Sequence, residues 1–175
     1  MNTANKLTLC RVVMIPIFIV LLYWEFAAHL WVALGVFVLA SITDFVDGYV
    51  ARHYNQITDF GKFMDPLADK LLVMSAMAWF VEAGWMPSWA FFVVIARELA
   101  VTGLRLVAVE QGRVIAAGKS GKVKTASTMV GICLMLAFTH EILRLVCVVV
   151  ILVTTVYSGI EYFIQNKDVL GKGAM

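Results

Sequence analysis

The sequence predicts an all-α integral membrane protein of six transmembrane helices, with both termini cytoplasmic and a site on the cytoplasmic side. Composition leads there first. Of 175 residues, 62% are hydrophobic and 15% are charged, against roughly 45–50% and about 25% in soluble domains. Too little polar surface remains to cover so much apolar side chain in water. The mean hydropathy of +0.88 agrees. Disorder, a nucleic-acid-binding domain and a disulfide-rich secreted scaffold are excluded. The formal net charge of +2 asks for no polyanionic partner. Cys10, Cys133 and Cys147 are widely spaced and read as small apolar fillers. No cleavable signal peptide, linker or internal repeat is visible, so one domain over residues 1–175 is expected.

A spanning helix needs about 20 mostly apolar residues. Six segments qualify in order: Leu7 to Trp24, Leu30 to Val50, Gly61 to Val81, Ser88 to Val109, Thr125 to His140 and Leu143 to Ile164. The second contains most of the 18-residue uncharged run from Phe26 to Thr43. The other five reach spanning length only by admitting a charge near an end or inside. Between spans four and five, Gln111 to Lys124 is rich in Gly and Lys and reads as a loop.

The connections set the orientation. Three short turns, Glu25–His29, Glu82–Pro87 and Thr139–Arg144, hold a single Lys or Arg, Arg144. Lys6, Arg11, Arg52, Lys62, Arg113, Lys119, Lys122, Lys124, Lys167 and Lys172 fall on the other side. That asymmetry makes the basic side cytoplasmic. Trp24, Trp31, Trp79, Trp85 and Trp89 lie at the opposite ends, as an interfacial aromatic belt requires. The expected location is the cytoplasmic (inner) membrane, crossed several times.

Ionisable groups inside membrane spans are costly and mark function by default. Span two ends with Asp44, Asp47 and Arg52, span three begins with Lys62, Asp65, Asp69 and Lys70, and span four carries Arg97, Glu98 and Arg105. Asp44 and Asp47 are spaced i,i+3, with Gly48 and Ala51 continuing their helical face, and Asp65 and Asp69 are spaced i,i+4 with Gly61 one turn earlier. Antiparallel neighbours would bring both pairs to a similar depth, roughly 6–12 Å inside the helix ends. Four carboxylates that close ionise together only if cations neutralise them. Hard divalent ions bound by oxygen are the natural partner, Mg²⁺ or Mn²⁺, and four shared carboxylates suit two of them.

The run D-F-V-D-G-Y-V-A-R, eight residues, then G-K-F-M-D-P-L-A-D, spans Asp44 to Asp69. It resembles the D-x-x-D-G-x-x-A-R…G-x-x-x-D-x-x-x-D motif of the CDP-alcohol phosphotransferase family, with every fixed position present. The N-K-L-T-x-x-R run from Asn5 to Arg11 and the basic loop after span four extend the resemblance. Ala4 stands where the family usually has proline. The resemblance implies transfer of a phosphatidyl group from CDP-diacylglycerol to a small alcohol, with release of CMP. It implies Asp44, Asp47, Asp65 and Asp69 as the metal shell, with Asp69 doubling as general base on the acceptor hydroxyl. It implies Gly48, Arg52 and Thr58 at the CDP moiety, with Ala51 beneath it and Gly61 leaving room, and Asn5, Thr8 and Arg11 at the head group. A homodimer is implied as well.

Within the family, R-E-L-A-V-T-G-L-R-L-V-A (Arg97 to Ala108) followed by A-A-G-K-S-G-K-V-K-T resembles the branch whose acceptor is glycerol 3-phosphate and whose product is phosphatidylglycerophosphate. Such a dianion needs cations of its own. Arg97 and Arg105 are eight apart and project from roughly one face of span four, and arginine forks suit phosphate. Lys119, Lys122 and Lys124 are expected at the cytoplasmic entrance. Inositol phosphate or serine as acceptor is the nearest rival; serine has no need of two intramembrane arginines. A divalent-cation transporter would need polar positions through the whole bilayer, whereas the outer halves of these spans are Leu, Val, Phe, Met and Trp.

Overall fold

The computed structural model describes the backbone of residues 3–53, 59–116 and 118–171, and side-chain surroundings for 9–43, 64, 67–116 and 118–169. Within that range the chain is helical throughout: α1 Thr3–Tyr23, α2 His29–His53, α3 Asp59–Glu82, α4 Ser88–Glu110, α5 Lys119–Ala137, α6 Glu141–Gln165 and a short α7 Lys167–Gly171. The six long helices correspond to the six expected segments. Two corrections concern the basic stretch and the tail. α5 begins at Lys119, not at Thr125, so the lysines expected in a loop stand on its first turns. α7 was not expected at all.

The helices alternate in direction and pack as neighbours. α1 lies against α2 and α3, α5 most extensively against α6 and also against α2, and α4 against α6, α3 and α7. Phe18, Phe37, Leu72, Met77, Phe80, Val94, Ile132, Met135 and Ile151 close the main core. A second, smaller core joins Val101, Leu104 and Ala108 of α4 to Tyr162 and Val169. Packing is tight where α5 meets α6: a Cβ on Gly131 would stand 2.9 Å from Ile151 Cδ1.

Two helices stop in the same way. After α3 the amide of Trp85 donates to Phe80 O (2.8 Å) and that of Gly84 to Val81 O (3.1 Å); after α4 Arg113 donates to Ala108 O (2.9 Å) and Gly112 to Val109 O (2.9 Å). Both glycines have positive φ, 72° and 71°. This is the Schellman arrangement, and the left-handed residue it needs is cheapest as glycine.

The outside is as apolar as the inside. Phe92, Leu106, Leu145, Val153 and Ile164 are all exposed. A helix that is hydrophobic all round suits a membrane span or a large core. Among the described residues α6 is the helix that is long and apolar enough to cross a membrane on composition alone, while Leu9–Tyr23 and His29–Thr43 are shorter apolar stretches. Lys70 in α3, Arg97, Glu98 and Arg105 in α4, and the lysines of α5 interrupt the others.

The aromatic residues gather at one end. His29 meets Trp79 (centroids 6.5 Å), Trp79 meets Trp85 (5.0 Å), and Phe80 stacks on Trp85 (5.6 Å). Arg144, from the first turn of α6, lays its guanidinium over Trp85 at 3.5 Å from the ring centroid. Tyr23 donates to Glu82 there, tying the end of α1 to that of α3. The aspartate-bearing ends of α2 and α3 lie at the other extreme.

Candidate active site

The acidic motif sits where two neighbouring helices approach their shared connection. Asp44 and Asp47 belong to the closing turns of α2, and Asp65 and Asp69 to the opening turns of α3; the two helices are in contact. The side chains of Asp44, Asp47, Gly48, Ala51, Arg52, Gly61, Asp65, Asn5 and Thr8 lie outside the described residues, as does all of Thr58. Among the described residues no three His, Cys, Asp or Glu side chains group closely enough to hold a metal; three of the four aspartates are not in that set. Arg11, expected at the head group, is 0% exposed on α1. A charge so deep is tolerated only with compensation.

Asp69 is half-buried and lines a narrow cleft of ≈ 40 Å³ between α3, α4 and α5. Lys70 comes with it from α3, Val94 and Glu98 from α4, and Lys124 and Thr128 from α5. Lys70 donates to the hydroxyl of Thr102, which in turn donates to Glu98 O (2.7 Å). Thr128 is 1% exposed and its hydroxyl has no hydrogen-bond partner. An unsatisfied buried hydroxyl costs about 1–3 kcal/mol, so the wall of this cleft keeps a polar group in hand.

Lys124 departs from expectation. It stands only 6% exposed, not at an open entrance, and its ammonium donates to Glu98 Oε1 at 2.5 Å. Lys119 and Lys122 do face outward, one turn nearer the helix start. The start at Lys119 explains the difference: a helix puts 119 and 122, three apart, on one face and turns 124 to the opposite side, where a loop would leave all three free.

Arg97 and Arg105 both reach α6, at residues one turn apart. Arg97 donates through Nη1 to Glu98 Oε1 (2.9 Å) and through Nη2 to Ser158 Oγ (3.0 Å). It runs between two glycines: a Cβ on Gly159 would stand 3.1 Å from its Cγ, and one on Gly121 3.9 Å from Nη2. Arg105 is exposed, donates from Nε to the Tyr162 hydroxyl (3.0 Å), and holds its guanidinium 5.4 Å from that ring's centroid. The two arginines are thus unequal. Arg97 is occupied by protein partners, whereas Arg105 keeps both terminal nitrogens available.

Glu98, Ser158, Tyr162, Thr102 and Thr128 were not singled out from sequence as site residues. Ser158 and Tyr162 carried a faint signal, as polar residues four apart in the most apolar span. Glu98 was visible as a charge, but its pairing with Lys124 joins positions 26 apart on separate helices.

The model of the CDP-alcohol phosphatidyltransferase family matches residues 1–158. The chain belongs to that family. The chain is similar to a CDP-diacylglycerol–glycerol-3-phosphate 3-phosphatidyltransferase of Bacillus subtilis, 41% identical over 97% of this chain and 97% of the relative. Proteins of the same name from Salmonella paratyphi A (41% identical, 77% of this chain and 76% of the relative) and Pseudomonas fluorescens (40%, 78% and 73%) are similar as well. The family match runs from α1 to within α6, so it embraces the aspartate motif and the cleft.

Proposed function

We propose that this protein transfers the phosphatidyl group of CDP-diacylglycerol to glycerol 3-phosphate, giving phosphatidylglycerophosphate and CMP. The names of its relatives support the reaction. The acceptor reading is carried by one observation: a buried lysine, Lys124, beside Asp69 in a cleft that also holds Lys70. Among the described residues, Lys70 and Lys124 line the cleft with Asp69 and Glu98, and Arg97 pairs with Glu98, so three cations stand against two carboxylates there, which favours an anionic acceptor. Arg105, with its free fork, is the second phosphate contact, and Lys119 and Lys122 draw anions toward the opening.

Asp44, Asp47, Asp65 and Asp69 would hold Mg²⁺ or Mn²⁺, two ions in all. Their fit rests on the donor set: hard carboxylate oxygens at i,i+3 and i,i+4 on two helices in contact. Bound ions supply charge neutralisation for the pyrophosphate and the CMP leaving group. Asp69 accepts the proton of the acceptor hydroxyl as its oxygen bonds to the phosphatidyl phosphorus and the bond to CMP breaks. Gly48, Ala51, Arg52, Thr58 and Gly61 line the CDP moiety, with Asn5, Thr8 and Arg11 at the head group. The six long helices cross the cytoplasmic membrane with both termini inside, and the exposed apolar side chains meet lipid or a second copy in a homodimer. The whole chain acts as one domain.

The test is CMP release by purified protein given CDP-diacylglycerol and a panel of acceptors. Glycerol 3-phosphate is expected to be preferred and glycerol to be poor. Arg105→Ala should raise KM for glycerol 3-phosphate more than tenfold and leave that for CDP-diacylglycerol within twofold. Better turnover with serine or inositol phosphate would reassign the acceptor.

A further inference from the structure

We infer that Glu98 is a positioning residue for the acceptor, the carboxylate that holds the Lys124 ammonium at the cleft. The inference rests on the acceptor reading above. Glu98 Oε1 receives both Arg97 Nη1 (2.9 Å) and Lys124 Nζ (2.5 Å), and side-chain exposures across the three are 15%, 13% and 7%. Arg97 in turn reaches Ser158. One oxygen on α4 therefore organises a cation of α5 and, through Arg97, is braced against α6.

A purely adhesive role for this cluster fits the chemistry poorly. Burying ions to join helices is an inefficient glue; apolar side chains of similar volume usually do as well or better. What the ion cluster provides, and apolar packing would not, is a fixed cation beside Asp69. An ammonium has three N–H groups. One goes to Glu98, and two remain for a ligand in the cleft. Without the carboxylate, the butyl chain of Lys124 is free to carry its charge toward water, away from the cleft. Glu98 makes no use of its charge in the chemistry itself, so its loss is felt in acceptor binding.

Two electrostatic effects oppose each other, and their signs separate the roles. If Glu98 only competed with the acceptor phosphate for Lys124, removing its charge would tighten acceptor binding. If it positions Lys124, removing it loosens binding. The experiment is steady-state kinetics of Glu98→Gln and Glu98→Asp in purified full-length protein, both substrates varied, with thermal melts alongside. Glu98→Gln is expected to raise KM for glycerol 3-phosphate at least tenfold, to change KM for CDP-diacylglycerol less than twofold, and to stay folded with a lowered melt, since it leaves two buried cations short of a counter-charge. Glu98→Asp, charge kept and reach shortened by one methylene, is expected to recover part of the loss. Equal shifts in both constants, or a lower KM for glycerol 3-phosphate, overturn the inference. Should Glu98→Gln fail to fold, Glu98→Asp decides: a selective rise in acceptor KM supports the role, and unchanged constants overturn it. A wild type idle on glycerol 3-phosphate would instead overturn the acceptor reading itself.

Discussion

At the scale of single residues, the aspartates and the cations answer to different tests. Asp44→Asn, Asp47→Asn and Asp65→Asn should each remove most activity while the protein still inserts, because on the proposed reading each would take a charged oxygen ligand from an ion that needs several. A chelator should abolish turnover, and Mg²⁺ or Mn²⁺ should restore it; undiminished turnover in chelator would sink the metal assignment. Asp69→Asn should slow single-turnover chemistry more than it weakens lipid binding. These residues enter the reading because helical spacing alone puts i,i+3 and i,i+4 pairs on one face, and the structure places them on α2 and α3, two helices in contact. The same reasoning put Arg97 and Arg105 together, and both do reach α6 at Ser158 and Tyr162. It could not tell them apart. Whether an arginine is occupied or free depends on partners about 60 residues away, which no local period encodes. Lys124 illustrates the same limit, since its burial comes from a helix start that a run of Gly and Lys conceals.

Helix ends were readable where a charge closes the apolar run, since spans expected to end at Val81 and Val109 end at Glu82 and Glu110, and unreadable before Lys119, where a run of Gly and Lys reads as loop. α7 was missed because five residues carry no period. What fastens it can be decided by magnitude. Arg113 pairs with Asp168, both half exposed, and an exposed pair contributes about 0–1 kcal/mol. Val169 is 2% exposed against Val101, Leu104 and Ala108, and burying such a side chain contributes about 1.5–3 kcal/mol. Packing wins. Asp168→Asn should therefore leave the melting temperature almost unchanged, whereas Val169→Asp should release α7 and increase protease cleavage after α6. Comparable effects of the two substitutions on tail proteolysis would show that the ion pair matters as much as the packing.

For the whole molecule, six helices of alternating direction place the short turns at one end and the basic segments at the other. In a membrane those ends face different compartments. A cysteine introduced by Ala27→Cys should be blocked by a membrane-impermeant maleimide added outside intact cells, and one from Ala116→Cys only after lysis, in a background lacking Cys10, Cys133 and Cys147. The reverse pattern would invert the orientation, and labelling of both from outside would dissolve the six-span reading. The molecule also carries its own optical gauge. Trp85 lies beneath the Arg144 guanidinium and against the rings of Trp79 and Phe80, so its emission depends on whether the α3–α4 turn stays seated on α6. Phe80, in that seat, stands about three helical turns along α3 from Asp69, roughly 16 Å at 1.5 Å per residue. On the proposed reading substrate binds at Asp69 and not in this seat, while loosening of the bundle exposes the indole, so fluorescence of a variant that keeps Trp85 as its one tryptophan should follow the integrity of the scaffold during turnover.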